Sequence, residues 1–345
     1  MKVGLVYDPV YLKHETGAHV ETKERLITTV AFLEETGLYD KLTIIPPRAA
    51  TIDELTLVHA REHILRVESQ CARGGGHLDP DTVTSPGSYE AALYAAGGIL
   101  AAIDEVMAKR VDNAFALVRP PGHHATCWHA MGFCLFNNIA IGAKYAFANY
   151  AIERILIADF DVHHGNGTQD TFYADPNVLY FSTHEYPFYP GTGSIEETGV
   201  REGKGFTVNV PLVAGWGDEE YQAVYEDVLA PIARRFNPQL ILVSAGYDAH
   251  WADGLALMQM SVAGFARLVE ILKLLADTLC QGRLVFTLEG GYNHEALSSS
   301  IAATLNILMG NKDIADPLGI RQTHAKPGGF DNLIHMVRDK HGITL

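Results

Sequence analysis

Cysteine is scarce in this chain, and the spacing of the few present excludes two classes. Cys71, Cys127, Cys134 and Cys280 form neither a CxxC metal knuckle nor a dense disulfide framework, so buried free thiols in a reducing compartment are expected. Positive charge is also short: 26 Lys and Arg against 41 Asp and Glu leave a formal net charge of -15. Phosphate binding needs clustered cations, so no direct nucleic-acid ligand is expected and cationic substrates are favoured, although acidity taken alone reads as a solubility feature. No run of about 18 apolar residues occurs, and no basic, apolar leader precedes Val3, so neither a membrane span nor secretion is expected and a cytoplasmic location is. Repeats, low-complexity tracts and long polar linkers are missing too, which favours one domain over residues 1–345.

Apolar content, by contrast, is ample: 345 residues at 48% hydrophobic can bury a large core. Short β-branched runs at 2–7, 42–45, 114–118, 154–159, 178–183, 206–210, 240–244 and 284–288 read as strands. Between them, 88–109, 136–151, 219–235 and 261–280 are rich in Ala, Leu and Glu with an apolar face, and read as helices. Such alternation predicts an α/β fold, a parallel sheet with helices on both faces. The stretch from 312 onward reads as irregular, with a closing helix near 332–340.

The polar, Gly-rich segments follow the strands. RPPGHH comes after 114–118, ADFDVHHGNG after 154–157, THEYPFYPGTG after 178–182, SAGYDAH after 240–243 and EGGYN after 284–288. In open parallel sheets the functional crevice lies at the carboxyl ends of the strands, so these segments are expected to converge. His123, His124, His129, His163, His164 and His184 all fall in this central part. In Asp161-Val162-His163 an extended backbone points the i and i+2 side chains the same way, letting a carboxylate and an imidazole share one metal. Asp248, beyond another strand, can supply a third ligand and leave positions open for water and substrate. Two carboxylates and an imidazole suit zinc, and ferrous iron or cobalt by ligand type as well.

RPPGHHA, GFCLFNN, DFDVHHGNGTQ, PGTG, SAGYDAH and LEGGYN, in this order, resemble the histone deacetylase family, most closely its bacterial and class II branch. The resemblance runs from about Tyr7 to Gly310. It implies the single-domain arginase-deacetylase fold around an eight-stranded parallel sheet. It implies one zinc ion per chain and a zinc-dependent deacetylase acting on acetylated lysine in a protein or peptide, or on an acetylated small amine. On the matching positions, His124 is the general base that later protonates the leaving amine and His123 gives electrostatic support. Their partners are Asp159 for His123 and Asn166 for His124; a carboxylate favours the imidazolium and an amide does not, so His124 is expected to be the more readily neutral. Tyr292 matches the tyrosine that donates to the oxyanion. Gly132, Phe133 and Tyr189 match a narrow channel with aromatic walls, Tyr189 replacing the more usual Phe. Leu255 stands where some relatives place a glutamate that selects acetylated polyamines, and Asp81 where a rim carboxylate grips substrate backbone, with Asp79 competing. Asp159, Asp161, His163, Ser182 and Thr183 match a potassium site beside the metal. Arg25 resembles an arginine near an internal product channel, with Val20 and Lys23 where prolines are usual. Relatives often form dimers or tetramers, so a homo-oligomer is compatible with the resemblance.

Three rival readings compete. His59-Ala60-Arg61-Glu62-His63 matches the H-x-x-E-H protease pattern and is expected on a helix with both histidines on one face, yet its expected role is structural, since the deacetylase motifs explain far more of the chain. A binuclear manganese ureohydrolase would need carboxylates at 165 and 250, where Gly165 and His250 stand. A non-catalytic acyl-lysine binding module would not need Tyr292, His124 and all three metal ligands, which are intact. An acetylpolyamine amidohydrolase remains the nearest enzymatic alternative to the lysine deacetylase.

Overall fold

A computed structural model describes residues 1–312, 314–321 and 327–343; the rest of the irregular tail expected from 312 onward lies outside the described residues. Strands form where β-branched and aromatic residues cluster: β1 Val3–Val6, β2 Thr43–Ile45, β3 Gly76–His77, β4 Val83–Thr84, β5 Asn113–Ala116, β6 Ile155–Asp159, β7 Val178–Glu185, β8 Thr207–Leu212, β9 Leu240–Ala245 and β10 Leu284–Leu288. Eight of them build one sheet in the order β2-β1-β5-β10-β9-β6-β7-β8. Every pair in it is parallel. The remaining pair, β3 and β4, is a small antiparallel hairpin of two residues per strand, too short for periodicity to reveal.

Every residue of β1, β5, β6, β7, β9 and β10 is buried, so both faces of the sheet are covered. Ser88–Met107 packs with Asn138–Asn149 in one helical layer, and Glu24–Glu35, Val262–Leu279 and His294–Met309 pack together in another. Local chemistry sets their ends. The Asn137 side chain accepts from Ala140 N at 3.0 Å and starts its helix two residues later than the apolar pattern suggests. Ser261 caps Val262–Leu279 in the same way, accepting from Gly264 N at 3.1 Å.

The helix expected over 219–235 is interrupted. It runs Asp218–Val224, widens into a π-helical turn over Tyr225–Leu229, and resumes as Ala230–Phe236. Pro231 lacks the N–H that would bond four residues back, and its ring crowds that carbonyl, so a wider turn takes up the mismatch. The closing helix is Phe330–His341, ended by Gly342 in the left-handed region.

Strand order explains the convergence of distant segments. β5, β10, β9 and β6 are consecutive neighbours and β7 adjoins β6. The chain leaving their carboxyl ends carries RPPGHH, EGGYN, SAGYDAH, DFDVHHGNG and the THEYPFYPGTG stretch. Segments separated by up to about half the chain thus share one edge of the sheet, where parallel α/β folds place their crevice.

Candidate active site

Asp161 and His163 lie just past β6, and Asp248 just past the neighbouring β9. Their candidate ligand atoms all lie within 4.8 Å of one another. His163 Nδ1 is 3.1 Å from Asp161 Oδ1 and 3.2 Å from Asp248 Oδ2. Backbone donors hold the far oxygens: Gly290 N–H donates to Asp161 Oδ2 at 2.7 Å and Val162 N–H to Asp248 Oδ1 at 2.9 Å. Asp248 Oδ2 is buried without a hydrogen bond. Glycine is required around this cradle, because a Cβ at Gly246 would lie 2.0 Å from Asp161 Oδ2 and one at Gly290 2.1 Å from Asp248 Oδ2. Two buried carboxylates facing one imidazole, with an Asp248 oxygen that no hydrogen-bond donor satisfies, are a donor set that fits a divalent cation. Electrostatics agree. Burial and the neighbouring Asp161 push Asp248 up to about 6. Against the cost of burial, the two carboxylates push His163 up to about 10.

His123 and His124 come from the segment after β5, with ring centroids 4.0 Å apart. Both are buried, yet their partners differ. His123 Nδ1 is 3.0 Å from Asp159 Oδ2, and His124 Nδ1 is 2.9 Å from Asn166 Oδ1. Burial opposes a charge on His123, but Asp159, Asp161 and Glu289 outweigh it and push it up to about 10. Burial, then the cationic His123 and His163, hold His124 well below the ordinary histidine range. The Asn166 amide nitrogen faces His124 O and Met131 Sδ, both at 3.5 Å, which orients its oxygen toward the imidazole. His124 therefore carries its proton on Nδ1 and keeps Nε2 as a bare base.

Beside these groups lies a cavity of about 220 Å³. Phe133, Tyr189, Leu255, Asp81 and Tyr292 line it, and so does Gly132. Gly132 has φ +54, and a Cβ there would lie 2.3 Å from His124 Cδ2, so only glycine fits. Phe133 meets Tyr292 edge to face at 5.9 Å, and Tyr189 meets His124 likewise at 5.1 Å. The structure also separates the two rim carboxylates. Asp79 Oδ1 accepts from Asp81 N and Thr82 N at 3.1 and 2.7 Å and serves its own loop, which leaves Asp81 on the cavity.

Ser182 pairs with Asp159 across β6 and β7, and Thr183 follows it on β7. Arg25 is buried below Tyr292, its guanidinium 5.0 Å from the ring centroid. It donates to Gly291 O and Glu289 O, both at 2.6 Å, and to Glu21 Oε1 at 2.9 Å. Val20 is exposed, and Lys23, which precedes this helix, pairs with Glu15.

Three contributors escape a reading of residue types. Phe188 stacks on His163 at 5.4 Å and lines the cavity; in EYPFYP nothing local distinguishes it from Tyr189. Glu289 is fully buried, accepting from Gly122 N and His123 N at 2.7 and 3.1 Å and from Ser244 Oγ at 3.0 Å. Arg119 donates to the buried Glu21 at 2.7 Å and completes the base under Arg25. An acid directly before Gly-Gly-Tyr at a strand end was the one available signal for Glu289.

The helical placement expected for His59 fails, while the structural role favoured for H-x-x-E-H agrees with its contacts. His59 precedes the helix Arg61–Ala72 and is not on it. Its Nδ1 is 2.9 Å from Thr126 O while its Nε2 accepts from Asn137 N–H at 2.8 Å, so both nitrogens are occupied by backbone. His63 Nε2 is 2.9 Å from Leu135 O, and Glu62 is exposed. At position 250, where a second metal would need a carboxylate, His250 Nδ1 accepts from Ala252 N at 3.0 Å.

Comparison with known proteins agrees with this geometry. Residues 19–308 match the histone deacetylase domain. The chain is 42% identical to a probable deacetylase of Archaeoglobus fulgidus, over 86% of this chain and 82% of that protein. It is 39% identical to the histone deacetylase-like amidohydrolase of Pseudomonas aeruginosa, over 86% of this chain and 78% of that protein. The crystal structure of the HDA15 HD domain superposes with a TM-score of 0.90 at 36% identity, covering 99% of this chain and 94% of that one. The chain belongs to the histone deacetylase family of hydrolases.

Proposed function

We propose that this chain is a zinc-dependent amidohydrolase that removes acetyl groups from lysine side chains, with one metal ion per chain. The observation that carries the reading is the asymmetry of the histidine pair, His123 on the Asp159 carboxylate and His124 on the Asn166 amide, beside the three candidate metal ligands. Asp161, His163 and Asp248 would hold a divalent cation, which would supply the Lewis acidity to acidify water and polarise an amide carbonyl.

The channel accepts the acylated side chain, with Phe133 and Tyr189 flanking its methylene stem and Asp81 and Leu255 at the mouth. His124 Nε2 takes the proton of the attacking water and passes it to the leaving amine. His123, held as imidazolium by Asp159, stabilises negative charge building beside it. Tyr292 donates to the carbonyl oxygen as it becomes an oxyanion. Its hydroxyl has no protein partner among the described residues and lines the cavity, which leaves it available for this donation. Asp159, Asp161, His163, Ser182 and Thr183 are the residues proposed to hold potassium, mainly through carbonyl oxygens. The four free cysteines support the cytoplasm as the working compartment.

Leu255 at the mouth favours lysine substrates over acetylated polyamines, since a leucine offers no charge to a polyamine nitrogen. The test is a turnover screen with acetyl-lysine peptides, acetylpolyamines and longer acyl-lysines, run with chelator and again after zinc is restored. Acetyl-lysine turnover that disappears with chelator and returns with zinc is expected. Turnover indifferent to chelation, or none on any acyl-lysine, overturns the proposal, and a strong preference for acetylpolyamines redirects it.

A further inference from the structure

The phenol of Tyr292 poses a positioning problem. It follows Gly290 and Gly291, the latter at φ +118, so the two residues before it supply little stiffness of their own. Among the described residues its hydroxyl has no hydrogen-bond partner, and its ring meets Phe133 and the Arg25 guanidinium. From below, Arg25 grips the carbonyls of Glu289 and Gly291. From the rim, a single buried carboxylate grips the amides: Asp253 Oδ2 accepts from Tyr292 N at 2.6 Å and from Asn293 N at 3.0 Å. Its other oxygen accepts from Leu255 N at 3.2 Å. Asn293 answers by donating its side-chain amide to Ala252 O at 3.0 Å, while its Oδ1 caps the helix His294–Met309 through Ala296 N at 3.0 Å.

Two segments, one leaving β9 through the metal ligand Asp248 and one leaving β10, are therefore joined at Asp253. We infer that Asp253 is a positioning residue: it fixes Tyr292 where the oxyanion forms and couples that position to the channel wall at Leu255. This inference rests on the reading in which Tyr292 donates to the oxyanion. A buried carboxylate accepting two successive amides is costly to replace, because each amide left behind is unsatisfied.

The test is a double-mutant cycle with Tyr292→Phe in zinc-loaded protein, with bound zinc measured for every variant. Asp253→Ala is expected to lower kcat about 100-fold with KM changed less than about threefold, the signature of an interaction made only in the transition state. In the Tyr292→Phe background the same change is expected to cost less than about threefold, since the donor it positions is already gone. Asp253→Asn is expected to recover part of the loss, its one carbonyl oxygen still accepting an amide. Effects that multiply, or zinc content that falls in step with activity, overturn the inference. Fluorine NMR of 3-fluorotyrosine at position 292 gives a readout free of turnover: the resonance is expected to shift or broaden in Asp253→Asn. An unchanged resonance overturns the inference even if Asp253→Ala is insoluble. A wild-type chain inert on every acyl-lysine defeats the functional reading instead, and the fluorine resonance still decides the positioning.

Discussion

Two pairs of buried histidines in this molecule look alike by composition and behave oppositely. His59 and His63 have ring centroids 5.1 Å apart, His123 and His124 4.0 Å. In the first pair the neighbours are backbone groups, and burial pushes His59 down to about 3. In the second pair the neighbours are a carboxylate and an amide, and the open nitrogens face a cavity and the candidate metal ligands. What a buried histidine does is thus set by the partner of its second nitrogen and by what the first one faces. Burial and spacing leave both undetermined.

The comparison can be broken most severely at the candidate metal ligands. Asp248→Asn is expected to bring activity down to the chelated background and to remove bound zinc, while leaving the surroundings of His59 and His63 unchanged by NMR. Next in size, His124→Ala is expected to lower kcat roughly 100- to 10,000-fold, the usual contribution of a positioned general base, measured by steady-state turnover at saturating zinc.

The difference between the partners is sharpened by Asn166→Asp. A carboxylate beside His124 favours its imidazolium, so the acid limb of kcat/KM is expected to move to higher pH by roughly 1–3 units. In the wild type that limb is expected below the ordinary histidine value of about 6.5, because His124 is held neutral. A limb unmoved by the substitution would remove His124 from the role of base.

Smaller effects belong to the other pair. His59→Leu leaves Asn137 N–H and Thr126 O unsatisfied, and is expected to cost about 1–3 kcal/mol in denaturant unfolding with kcat unchanged. Its pH dependence has a definite sign. With a folded pKa of about 3 against about 6.5 unfolded, the unfolded chain binds the extra proton, so wild-type stability falls as pH drops through that window. His59→Leu should flatten that slope. Glu62→Gln, at an exposed position, is expected to change turnover and stability least of all.

The strand runs, the Asp161-Val162-His163 spacing and the polar segments after each strand were legible because they are local. Strand periodicity and the i, i+2 geometry of an extended backbone depend on a few consecutive residues. The helix expected through His59 was misread for the same reason: H-x-x-E-H matches a helical face, yet the chain bends at His59 and the helix begins at Arg61. Pro231 gave a local warning of the widened turn, but proline alone does not say whether a helix kinks, ends or widens. That Phe188 joins Tyr189 in the cavity, and that Asp81 lines it while Asp79 serves its own loop, depended on how these loops turn their side chains.

Residue order therefore determined that this is a parallel α/β protein with carboxylates, imidazoles and a phenol at its strand ends, because those features are written within a few residues of each other. Tertiary structure decided that β5, β10, β9 and β6 are neighbours, and so which of those side chains meet. It also placed Glu289 under His123 and Asp253 over Tyr292, two buried carboxylates whose roles come from donors far away in the chain. Proton affinities followed from the same packing, since a charge in a low-dielectric interior is governed by the groups within a few ångströms of it, whatever their separation along the backbone.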